Sequence, residues 1–122
     1  MEYLVQLRLS SPARPTTPED GVAFIGHFIL PTLELCKKLQ EQKRIVGGGP
    51  VSGAVGLALI VNAESARELD DLITSLTVWP RMETEVTPLT TFDARIESLV
   101  PLREALKAQL REARTSKPGG SR

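Results

Sequence analysis

His27 and Glu34 lie seven positions apart in "HFILPTLE", two turns of a helix. An imidazole and a carboxylate on one helix side make a workable acid/base pair, able to move a proton between carbon atoms. Arg8, projecting from an N-terminal strand beside Gln6, can clamp a carboxylate, and Arg44 can neutralise an enolate. Ser52 offers a hydroxyl to a ligand, and Trp79, the sole tryptophan, offers a flat pocket wall.

Each of these residues also has a plainer reading. His27, Glu34 and Lys38 fall opposite an apolar stripe, where a solvated helix face is expected. Arg8 suits a salt bridge between subunits, Arg44 an exposed strand end, and Trp79 a core or subunit contact. Nothing places the single histidine beside Ser52, which argues against a serine nucleophile. Cys36 lies on the apolar stripe and reads as inert core. One cysteine and one histidine exclude an internal disulfide and a zinc cluster, and no phosphate loop is present. No metal or organic cofactor is therefore expected.

The elements that must carry these side chains follow from periodicity. "EYLVQLRL" (2–9) alternates and reads as a strand. Residues 10–21 hold three prolines and form a loop, with Thr17 and Pro18 opening a helix. From 18 to 43, Val22, Ile25, Phe28, Ile29, Cys36 and Leu39 share a stripe at helical spacing, with Pro31 inside as a kink. "RIVGGGPVSGAVGLALIV" (44–61) lacks the Gly-Lys-Ser/Thr of a phosphate loop and is followed by a strand-like run rather than a helix. It reads as a hairpin, 44–49 pairing with 54–61 across Pro50–Gly53. The glycines mark an edge strand, and the turn is expected to border a pocket. With ordinary strand dihedrals at Gly48, valine there would cost the backbone little.

Ser65 and Glu68 form a capping box ahead of Leu69, Leu72, Ile73 and Leu76. "VWPRMETEVTPL" (78–89) reads as a Trp-Pro turn and an edge strand. A third helix begins near Phe92, is interrupted at Pro101 and runs through "LREALKAQL", leaving 113–122 as a disordered tail after a single domain, 1–112.

The order β-α-β-β-α-β is the ferredoxin-like split βαβ: an α+β fold with a four-stranded antiparallel sheet and helices on one face, plus an extra C-terminal helix. The run 54–61 is apolar on both faces, so the helix-free face needs cover. A second copy of the sheet, giving a dimeric α/β barrel, is the simplest cover.

On these elements, "LDDLITSLTVWPRMETEVTPL" (69–89) resembles the second helix, Pro-containing turn and final strand of the muconolactone δ-isomerase family. "LELCKKLQEQ" (33–42) is similar to the end of that family's first helix. The likeness spans roughly residues 1–95 in element order, its specific part being 76–89. It implies a small-molecule pocket between sheet and helices, rings built from dimers, and cofactor-free proton transfer about an unsaturated lactone. It also adds weight to Glu34, because the matching helix of the family carries a glutamate near the pocket. The chain departs from the family at "RIVGGGPVSG", where the isomerases place basic and aromatic side chains. Here only Arg44 and Ser52 are polar, so muconolactone as substrate does not follow.

Two classes of function result. One is a cofactor-independent isomerase acting on a small unsaturated ring or lactone, with Glu34 or His27 as base and Arg8 or Arg44 as electrostatic partner. A cofactor-free monooxygenase is a variant that one Trp and one Tyr support poorly. The other is a non-catalytic small-ligand-binding or assembly protein that kept the barrel. A pocket with two convergent ionisable groups favours the first, an apolar one the second. Fifteen basic residues balance fifteen acidic ones without a basic patch, which argues against nucleic acid. No apolar run is long enough for a membrane span and no secretory leader is evident, so a cytoplasmic homo-oligomer is expected.

Overall fold

The computed structural model describes residues 1–10 and 14–115. The chain divides into two compact units, Met1–Leu89 and a second from Thr90 onward. In the first, β1 (Glu2–Leu9), α1 (Pro18–Phe24), α2 (Leu30–Glu41), β2 (Ile45–Pro50), β3 (Gly56–Asn62), α3 (Ala66–Ser75) and β4 (Met82–Pro88) follow one another. The strands form one antiparallel sheet in the order β2-β3-β1-β4. This is the ferredoxin-like arrangement, with the two most apolar strands central and the glycine- and glutamate-bearing strands at the edges.

Strand alternation sorts the core. Val5, Leu7 and Leu9 of β1 and Leu57, Leu59 and Val61 of β3 are buried. The main cluster joins all of these but Leu9 to Leu39 of α2 and to Leu69, Leu72 and Ile73 of α3. The other sheet face carries Leu4, Gln6, Ala58 and Ile60, all half-buried, with exposed Arg8 directly opposite Glu83.

α3 begins as expected. The Ser65 hydroxyl accepts from the Glu68 amide at 3.1 Å, while the Glu68 carboxylate accepts from the Glu64 amide at 3.1 Å rather than from that of Ser65. Thr17 caps α1, accepting from the Asp20 amide at 3.1 Å.

Three readings require correction. The segment 18–43 is not one regular helix: a π turn, Ile25–Ile29, separates α1 from α2. Pro31 has no N–H, and its ring crowds the carbonyl four residues earlier; a widened turn relieves that crowding. The extra residue rotates everything before it by about 100° relative to α2, so Val22 and Ile25 are 74% and 51% exposed and Phe24 is buried instead. In the hairpin, Pro50 ends β2 opposite Leu57, and the turn is 51–55. The register shifts between Ile45 and Gly47, a bulge at Val46. Finally, the helix of the second unit, α4 (Phe92–Thr115), runs through Pro101 without interruption. It includes 113–115 of the expected tail; residues 116–122 lie outside the described residues.

Candidate functional site

A cavity of about 480 Å³ opens between the sheet and the α1–α2 segment. Leu9, Leu57 and Met82 floor it, Phe24, Ile29 and Leu33 roof it, and Pro50 with Ala54–Gly56 closes the hairpin side. The size suits a ring compound of modest mass. One end is a small core of Leu9, Phe24 and Val78, against which Phe28, Ile29 and Met82 pack. The Phe24 and Phe28 rings lie 5.9 Å apart, and the Arg81 guanidinium sits 4.4 Å over the Phe28 ring.

Only two described lining residues have polar side chains, Thr32 and Arg14. Thr32 is 2% exposed. Its hydroxyl donates to the Phe28 carbonyl at 2.7 Å and accepts from the Val78 amide at 3.1 Å. The first bond holds the chain where Pro31 has removed a donor, and the second ties α2 to the turn entering β4. Both roles are structural, so Thr32 has one lone pair left for a ligand. Arg14, on the loop between β1 and α1, is the one ionisable group among the described lining residues.

The residues singled out from the sequence lie elsewhere. His27 occupies the π turn and Glu34 follows Pro31 on α2; both are exposed and neither lines the cavity. Arg8 sits on the helix-free sheet face, where Gln6, Glu83 and Glu85 share a hollow of about 270 Å³ with it. Arg44 is half-buried before β2, its carbonyl accepting from the Asn62 amide at 2.8 Å. Ser52 is exposed in the hairpin turn, and Trp79, 39% exposed, opens a 3₁₀ turn (Trp79–Arg81). The hairpin does border the cavity, through Pro50 and Ala54–Leu57.

Gly48 lies against a second hollow of about 290 Å³ lined also by Leu33, Cys36 and Ile45. Its φ is +91°, and an added Cβ would fall on the Ala58 carbonyl oxygen. The ordinary strand dihedrals expected there are thus corrected: the glycine serves the bulged backbone, not open space. Burial pushes the Cys36 thiol above its usual range, leaving it a poor nucleophile.

Sequence reasoning missed Arg14, Phe24 and Thr32. Arg14 is the one cation in a proline-rich loop, and Thr32 is a polar residue beside a helix proline; both were available signals. Among the described residues no group of His, Cys, Asp and Glu side chains is arranged to hold a metal ion, and no helix is long and apolar enough to cross a membrane.

The muconolactone delta-isomerase family matches this chain over residues 1–95, which takes in the sheet, α1–α3 and every described residue of the cavity. No curated protein matches.

Proposed function

Since the chain belongs to the muconolactone delta-isomerase family, we propose that it binds a small, largely apolar molecule with one anionic group, such as an unsaturated lactone or ring acid. The observation that carries this reading is the cavity lining: among the described residues, apolar walls with a single guanidinium, that of Arg14. Apolar walls supply affinity through burial, and the exposed Arg14 guanidinium at the edge of the cavity can take a carboxylate by paired hydrogen bonds. The described lining residues include no carboxylate or imidazole, so binding is better supported than proton transfer.

Isomerisation is the second reading, favoured by the family match. It makes Glu34 or His27 the base and requires a substrate that extends beyond the cavity to reach either. In both readings the copies pair through the helix-free sheet face, which half-buried Leu4, Ala58 and Ile60 make apolar at its centre.

Calorimetric titration with a series of unsaturated lactone acids and their methyl esters, alongside ultraviolet detection of double-bond migration, tests the proposal. The acids should bind more tightly than the esters. Arg14→Gln should remove that preference, weakening the acids roughly tenfold or more at unchanged melting temperature, as expected for a hydrogen bond to a charged group. Equal binding of acid and ester would sink the anion reading. Double-bond migration lost in Glu34→Gln would establish the isomerase reading instead.

A further inference from the structure

α4 lies almost wholly beyond the family match and is independent of the ligand reading above. It buries none of its residues. Phe92, Ile96, Leu99, Arg103, Leu106 and Leu110 recur along it at alternating spacings of four and three, the repeat of a helix that packs lengthwise against another. Five of the six are apolar and exposed, from 91% at Phe92 to 47% at Leu99. A helix of this kind takes most of its stability from packing, so such a seam calls for a partner.

We infer that α4 pairs with α4 of a second copy of this chain, side by side and antiparallel, in the register that sets Phe92 level with Leu110 of the other copy. Three features select this occupant and this direction. First, every seam residue meets a seam residue: Phe92 with Leu110, Ile96 with Leu106, and Leu99 with Arg103, each twice by symmetry. Second, Val100 and Leu102, apolar and about half-exposed but off the seam, flank it at its centre. The two-fold axis then places Val100 beside its own copy on one side and Leu102 beside its own copy on the other. Third, Asp93 and Lys107 occupy equivalent flanking positions, so the antiparallel register brings opposite charges together at both ends.

A parallel pair in register would instead set Arg103 against Arg103 within the seam, a like-charge contact at close range. In the antiparallel pair the Arg103 stem lies across Leu99. Its guanidinium keeps Glu104 of its own helix, 3.6 Å from Nε. Pro101 falls on the side away from the seam, so its missing hydrogen bond faces outward.

Cross-linking decides the matter. In the full chain carrying Cys36→Ala, Phe92→Cys and Leu110→Cys are made singly and together. Eighteen residues of helix span about 27 Å, so the two thiols of one chain cannot join. The double variant should form a covalent dimer under mild oxidation, and each single variant should not. Adding Leu99→Asp and Leu106→Asp to the double variant should abolish the dimer without shifting the melting of the first unit. Ready dimerisation of either single variant would overturn the antiparallel pairing. A double variant that stays monomeric on the gel, or a cross-link that survives the aspartates, would overturn the pairing itself.

Discussion

Gly48 shows how one residue can reverse a sequence-level expectation. In "VGGGP" the three glycines look interchangeable, and bareness suggests room for a ligand. Only Gly48 among them has a positive φ, and its α-hydrogen points at the Ala58 carbonyl oxygen. Gly48→Val must therefore move the β2–β3 backbone, at a cost of about 2 kcal/mol or more, a fall on the order of 10 °C for a unit of this size. A thermal melt by circular dichroism checks it, and an unchanged melt would show that the bulge relaxes freely. Thr32 is the complementary case, a buried polar residue in an apolar wall. Thr32→Val leaves the buried Val78 amide without a partner and should cost about 1–3 kcal/mol in urea unfolding, whereas Thr32→Ser should retain most of the stability. The cavity is poorly legible in the sequence because charged side chains at helical spacing, the usual mark of a catalytic site, do not line it. Its described walls are mostly ordinary apolar residues, and the one charge among them comes from a loop without periodicity. Arg14 is visible as a residue type, but no period in its surrounding sequence says that it meets the cavity.

At the scale of elements, the two central strands and α3 were legible because each has an undisturbed period: two for β1 and β3, near 3.6 for α3, with Ser65 marking its start. The first helical segment was not, because a constant 100° step assumes every turn is alike. One widened turn before Pro31 rephases α1, turning Val22 outward and Phe24 inward. The end of α2 carries a further local cost. The Arg44 amide donates to the Leu39 carbonyl at 2.9 Å and the Lys43 amide to that of Gln40 at 3.0 Å, a Schellman closure. Lys43 holds the left-handed position, φ 60°, where glycine is the usual occupant. Lys43→Gly removes the Cβ strain at that position and adds some freedom to the unfolded chain. The net expectation is a gain of about 0.5 kcal/mol, read as a higher urea midpoint with unchanged slope. A loss would mean that the lysine stem packs usefully against α2.

For the molecule as a whole, the decisive feature is a first unit whose own helices pack on one face of its sheet only. β3 is buried at Leu57, Leu59 and Val61 toward the helices, yet Ala58 and Ile60 on its other side are apolar too. A strand that met only water there would gain nothing from isoleucine. Arg8 and Glu83 at one end of that face supply a charged border with both signs present, so two copies related by a two-fold axis can match charge to charge. Ile60→Asp places two carboxylates close together at the centre of such a pairing while leaving the helix-side core intact. Sedimentation velocity at micromolar concentration should then show a smaller species than the unmodified chain, with near-native secondary structure. The same substitution should leave ligand affinity in the cavity within about twofold, because the cavity lies on the other face of the sheet; perturbations that share no partners act nearly independently. An unchanged assembly in Ile60→Asp, made in a chain whose α4 seam already carries Leu99→Asp and Leu106→Asp, would mean that the helix-free face is not one the copies share. Loss of both assembly and binding would mean instead that pairing shapes the cavity through the sheet.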